Sequence, residues 1–206
     1  MKLNGWVESY VINVFCRKLF RDNHPRKSNK HFFFSTTSDY LLEKWKNEDT
    51  RVRWKENVIN GLVVANGARE LHLSERLYFP SAYSRHWFVF AVDLKARNFL
   101  FLDSINGKEC NYSKKTSNLL IKNFKEVWFE SGLKNMRFEN FQTVYPVVPK
   151  QDNGDDCGIF TIKYMESYCP RIQLHADSHS RTSHIYASSL QMNYNSPHIM
   201  KSMNLC

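Results

Sequence analysis

Two runs of β-forming residues, His86 to Leu94 and Asn98 to Asp103, flank Lys95-Ala96-Arg97. Runs of this kind around a short polar turn read as a β-hairpin. Such a hairpin commits the middle of the chain to an antiparallel sheet. It also dictates which residues can meet. With a turn near Leu94-Lys95, His86 and Asp103 fall at the same open end. Cross-strand neighbours lie about 5 Å apart, so an imidazole and a carboxylate are brought within reach of each other. Asp93 is the competing acid, but it lies by the turn, at the far end. Taken singly, His86 is an ordinary strand-end histidine and Asp103 an ordinary turn former. As a pair they suggest a base and its orienting group.

Around the hairpin the periodicity is mostly helical. Residues 6–20 place apolar groups at 7, 11, 14, 15 and 19, which predicts a helix. Arg21 to His31, with Pro25, reads as a polar loop, and Phe32-Phe33-Phe34 as a short strand or buried turn. Asp39 to Trp54 reads as one or two helices, and Gly61 and Gly67 bracket an apolar piece bounded by loops. Leu77 to Pro80 reads as a strand ending at the proline. Asn118 to Gly132 is helical, with Gly132 as its cap. Phe138 to Val148 reads as an extended strand, and residues 157–168 as a helix stopped by Pro170. No internal repeat is present. Helices, then strands, then a helix predict an α+β fold.

The chain has 206 residues, which suits one domain with a short appendage. The longest apolar stretch, Trp87 to Val92, is far short of a membrane span. Met1 to Tyr10 lacks the unbroken apolar region of a secretory signal, so neither secretion nor membrane insertion is expected. Twenty-nine basic against 20 acidic residues give a net charge of +9, spread without a nucleic-acid motif. The five cysteines include no Cys-x-x-Cys pair, so neither a disulfide framework nor a four-cysteine zinc site is expected. That points to a reducing compartment.

One cysteine stands apart. A free cysteine is most often a small buried hydrophobe. Cys157, however, joins the polar loop Gln151-Asp152-Asn153-Gly154-Asp155-Asp156 to the start of a helix. A helix N-terminus favours a thiolate, and Asp155 or Asp156 is placed to cap it. Gly158 leaves the sulfur uncrowded. Gln151 is placed to donate its amide, with the Cys157 N–H, to a developing oxyanion. Trp6 and Trp87 are either core or the flat walls of a narrow slot that only glycine threads easily.

The segment Val148-Pro149-Lys150-Gln151-Asp152-Asn153-Gly154-Asp155-Asp156-Cys157-Gly158-Ile159-Phe160 closely resembles the active-site signature of the ubiquitin-like-protein-specific cysteine proteases, the SUMO (sentrin) proteases. His86-Trp87 and the later Phe99-Leu100-Phe101-Leu102-Asp103-Ser104 resemble that family's histidine and aspartate segments, in the same order. Gly5 to Ile12 resembles its opening segment, although the family has Leu-Asn-Asp where this chain has Val7-Glu8-Ser9.

The resemblance implies a papain-like α+β fold, a central mixed or antiparallel sheet flanked by helices, with the nucleophile at a helix N-terminus. It implies Cys157 as nucleophile, His86 as general base and acid, Asp103 as orienter and Gln151 as oxyanion donor. Trp87 and Trp6 would clamp a diglycine tail. The implied reaction is cleavage after that diglycine, with no metal or cofactor. The implied partners are a SUMO-type modifier and its conjugates, not nucleic acid or a membrane, with the chain a monomer in the nucleus or cytoplasm. The family continues past its catalytic helix with further helices, which are not recognisable after Tyr168. Residues 1–169 are therefore read as the catalytic domain and 170–206 as a divergent, flexible tail. A module that binds the modifier with little or no catalysis is the second reading. His175, His179 and His184 lie in a serine-rich stretch without cysteine or acid at matching spacing, which does not make a metal site.

Overall fold

The computed structural model describes residues 6–44 and 48–169. The expectations for Pro170, for a tail over 170–206 and for its histidines lie outside these residues. Strand β3 (His86–Asp93) is the centre of the molecule. It is apolar along almost its whole length because both of its faces are covered, so the period-2 polar alternation of a half-exposed strand is missing. Trp87, Val89 and Ala91 enter one core cluster, while Phe88, Phe90 and Val92 enter another on the opposite face. Strand β4 (Asn98–Leu102) alternates in the same way, with Leu100 and Leu102 on one side and Phe99 and Phe101 on the other.

The sheet has five strands in the order β1 (Lys30–Phe32), β2 (Arg76–Tyr83), β3, β4, β5 (Gln142–Val144). The outer pairs β1–β2 and β4–β5 are parallel and the inner pairs antiparallel, so the sheet is mixed, as expected. One face is covered by α1 (Ser9–Asp22) and α6 (Cys157–Ser167). The other is covered by α3 (Ser35–Leu42), α4 (Glu48–Ala68) and α5 (Asn111–Glu130). A four-residue helix, α2 (Pro25–Ser28), precedes β1.

Several boundaries differ from the expectations. The turn between β3 and β4 covers Leu94 to Arg97, one residue longer than expected, and β4 stops at Leu102. Strand β2 runs through Pro80 to Tyr83 and closes a second tight hairpin on Ser84-Arg85, both with positive φ. Proline is tolerated there because β1 pairs only with Arg76 to Tyr78, leaving the β2 edge free at Pro80. Residues 61–67 are no loop but part of α4, whose Trp54, Val58 and Leu62 recur at helical spacing and are buried. Pro25 starts α2 instead of marking a loop, since a first helical turn needs no N–H from that position. The expected long strand after residue 138 shrinks to a single 3₁₀ turn, Phe138–Asn140, and the three residues of β5. Gly132 follows α5 at φ 65°, the left-handed conformation its capping place requires.

Candidate active site

His86 begins β3 and Asp103 follows β4 directly. The register pairs Val89 with Leu102, so by continuation Asp103 lies opposite Phe88 and His86 sits diagonally across from it on the same face. The diagonal is bridged by side chains, and His86 Nε2 lies 2.8 Å from Asp103 Oδ1. The ring is held by its neighbours: Phe88 stacks at 6.4 Å, and Tyr112 meets it edge-on at 5.8 Å. The Tyr112 hydroxyl is itself tied down, donating to the Tyr83 carbonyl at 2.9 Å.

Asp103 forms an Asx turn. Its Oδ1 also accepts the backbone N–H groups of Ile105 at 2.8 Å and Asn106 at 2.7 Å, and its Oδ2 accepts the Asn106 side-chain amide at 3.2 Å. Burial would raise this carboxyl, but the hydrogen bond and charge of His86 and the two backbone amides outweigh it and hold the group below the usual carboxylate range. On His86, burial disfavours the imidazolium, but hydrogen bonds and charge from Asp103 and Cys157 win and raise it to about 9. With Nε2 on Asp103, Nδ1 is the ring nitrogen left for the sulfur.

Cys157 is the first residue of α6 and is 1% exposed. The structure thus brings Cys157, His86 and Asp103 together. Asp93 stands apart from them, its Oδ2 accepting Arg76 Nε at 2.9 Å. Cys16 is a core thiol that burial pushes up to about 12. The expected side-chain cap is not made. Asp156 occupies the N-cap position, but its carboxylate accepts from Asn153 Nδ2 at 2.8 Å. The loop is shaped instead by Asn153, whose Oδ1 accepts the N–H groups of Asp155 and Asp156, each at 3.0 Å. Gln151 accepts a hydrogen bond from Ser104 Oγ on its Oε1 and donates from Nε2 to the Asn153 carbonyl at 2.6 Å. Its amide is therefore oriented, with one N–H already engaged.

The two tryptophans meet. Their ring centroids are 5.5 Å apart with planes 28° from parallel. Trp87 is buried and donates its indole N–H to the Val7 carbonyl at 2.8 Å. Gly158 explains how Val7 reaches this place. A Cβ at Gly158 would stand 2.5 Å from the Val7 Cβ, so only glycine admits the strap that carries Trp6. Sequence reasoning missed Asn106, although Asp103-Ser104-Ile105-Asn106-Gly107 has the composition of an Asx turn. It also missed Tyr112 and Val7, which act by packing and through a main-chain carbonyl and carry no motif.

Comparison with known proteins places this geometry. The family model described as "Ulp1 protease family, C-terminal catalytic domain" matches residues 5–197. Ubiquitin-like-specific protease 1A of Arabidopsis thaliana is 24% identical over 176 residues, covering 84% of this chain and 34% of that protein. Sentrin-specific protease 5 of Mus musculus is 27% identical over 166 residues, covering 78% of this chain and 19% of that protein. The chain thus spans about a third or less of the length of these two relatives. Among solved structures, the C-terminal Ulp1 protease domain in complex with Smt3, the yeast orthologue of SUMO, superposes with a TM-score of 0.57 at 20% identity. That match covers 78% of this chain and 64% of the other, and shows a shared fold.

Proposed function

Because the chain belongs to the Ulp1 protease family, we propose that it is a thiol protease cutting after the C-terminal diglycine of a ubiquitin-like modifier, with SUMO the first choice. The observation that carries this reading is the His86 Nε2–Asp103 Oδ1 contact of 2.8 Å, with Cys157, at a helix N-terminus, near enough to the same imidazole to help raise it. The substrate class comes from the relatives, which are ubiquitin-like-specific and sentrin-specific proteases, and from the Ulp1 domain held on Smt3.

In this mechanism Cys157 passes its proton to His86, and the sulfur attacks the carbonyl carbon of the last glycine. Asp103 orients the imidazolium and stabilises its charge. The Cys157 N–H and the Gln151 amide stabilise the oxyanion; one such donor is typically worth about 10²–10³ in rate. His86 then protonates the leaving amine, either a lysine side chain or the next residue of a precursor. Water, deprotonated by His86, cleaves the thioester and frees the thiol. Thiol, imidazole and carboxylate supply nucleophile, base and orienter, so the route needs no metal.

One observation favours a second reading, a module that binds without cutting. A peptide threaded between two rings needs a separation of about 7 Å, two ordinary carbon contacts, whereas the Trp6 and Trp87 centroids lie 5.5 Å apart. On the protease reading, Trp6 swings off Trp87 to admit the diglycine. The test is a panel of SUMO-type, ubiquitin and other ubiquitin-like modifiers, each ending in a thiol-reactive group. The protease forms a covalent adduct with one of them that Cys157→Ala abolishes. Tight binding without any adduct establishes the second reading instead.

A further inference from the structure

The residues between β5 and α6 tie the two halves of the site together. Tyr164, on α6, donates its hydroxyl to the Pro149 carbonyl. Two residues later, the Gln151 N–H donates to the Ser104 carbonyl at 3.1 Å, and Ser104 Oγ donates back to Gln151 Oε1. Between these anchors Lys150 extends its ammonium to the Asp103 carbonyl at 2.7 Å and to the Asn106 carbonyl at 3.3 Å. Pro149 to Gln151 is therefore a bracket. One arm holds the helix that begins at Cys157, and the other holds the turn that carries Asp103.

The turn needs that hold. Asp103 and Asn106 lie outside helices and strands, so their carbonyls have no ladder partners. An ammonium has three donors and no acceptor, which suits it to gather two such carbonyls. Asn106 completes the arrangement from within the turn, through its Nδ2 contact to Asp103 Oδ2 at 3.2 Å. Its own Oδ1 lies 3.6 Å from Cys110 Sγ, which fixes the amide's orientation.

We propose that Lys150 is a positioning residue: acting through the main chain of residues 103–106, and together with Asn106, it fixes the Asp103 carboxylate against His86 at a set distance from Cys157. The inference rests on the protease reading. Small misplacements of a catalytic group carry large rate costs, with about 1 Å costing 10²-fold. Lys150→Met keeps the stem and removes the donor. It lowers kcat at least about tenfold and leaves KM within about twofold, because the diglycine slot is untouched. Lys150→Arg, which keeps a charged donor, recovers most of the loss.

A second readout needs no substrate. The groups facing the His86 ring are Asp103, Cys157, Phe88 and Tyr112. In the wild type its imidazole titrates near 9, and Lys150→Met lowers that midpoint by NMR as Asp103 loosens. Removing a cation by its field alone would raise the midpoint. A rise or no change therefore overturns the proposal, as does a raised KM at unchanged kcat, which would place Lys150 on the substrate. Should Lys150→Met fail to fold, Asn106→Ala is read the same way: a lowered midpoint supports the bracket and an unchanged one overturns it. A wild type without activity defeats the protease reading, while the imidazole titration still reports on the bracket.

Discussion

Asp93 and Asp103 sit at opposite ends of the β3–β4 hairpin, and their partners give them different jobs. Asp103 accepts from His86, the general base, so Asp103→Ala forfeits much of the roughly 10²- to 10⁴-fold that positioned acid–base catalysis supplies, along with the stability the His86–Asp103 pair contributes. Asp93 accepts from Arg76, which also meets Glu75 and the Tyr78 hydroxyl. Asp93→Ala leaves the buried Arg76 guanidinium paired with Glu75 but takes away the acceptor of its Nε–H, and costs about 1–3 kcal/mol of stability, while the folded fraction keeps its turnover. Kinetics and thermal melts on both variants check the division; equal kinetic losses would contradict it. His86 adds a pH signature. The ion-paired site needs the protonated imidazole, so kcat/KM falls on the alkaline side with a midpoint near 9. Asp103→Asn removes the charge that holds the ring's proton and moves that limb toward the ordinary histidine value of about 6.5. The His86–Asp103 pairing was legible in the sequence because a hairpin is a local device. Lys150 and Asn106 were not, because they act largely through carbonyls and turns that no motif names.

At the scale of elements, glycine misled the reading of α4 and secures the placement of α6. Gly61 lies inside α4 with open space where a Cβ would go. Its conformational cost is uncompensated there, so Gly61→Ala raises stability by roughly 0.5–1 kcal/mol, measurable by denaturant titration. Gly158 behaves oppositely. Gly158→Ala drives a methyl into Val7, displaces the Val7 carbonyl from Trp87, and costs about 1–3 kcal/mol. Tryptophan emission changes with it, because Trp6 stacks on Trp87. Local periodicity found α1, α5 and α6, since each buries a regular stripe. It failed over 61–67 because two glycines outweighed a buried stripe that only tertiary packing reveals. It failed at Pro80 because the reach of β1, which frees that edge, depends on a chain segment far away in sequence.

Across the whole molecule, the sheet separates two cores, and the site lies at the end where α6 meets the start of β3. The α+β class was legible from element order, and the meeting of Cys157 with the hairpin only through family resemblance, because long-range docking leaves no periodic trace. Among the described residues, no helix is long and apolar enough to cross a membrane. Two histidines shape stability in opposite directions. His31 is buried, with no partner for Nε2, and burial first, then the charges of Arg69 and His24, lower it to about 4. The unfolded chain binds that proton more readily, so stability falls as pH drops from about 6.5 toward 4, by up to about 3 kcal/mol. His86 is raised to about 9, so its contribution is complete below about 6.5 and is lost as pH climbs through 9. Thermal midpoints peak near pH 6.5, and His31→Phe flattens the acid side; an unchanged acid limb would contradict this assignment. The most direct test of the central claim is mass analysis of a modifier joined through its diglycine to a lysine-bearing peptide, after incubation with the protein. The expected products are two, the modifier ending in Gly-Gly and the peptide with a free lysine, with neither formed by Cys157→Ala. An intact conjugate, cleavage at another bond, or cleavage that survives Cys157→Ala would contradict that claim.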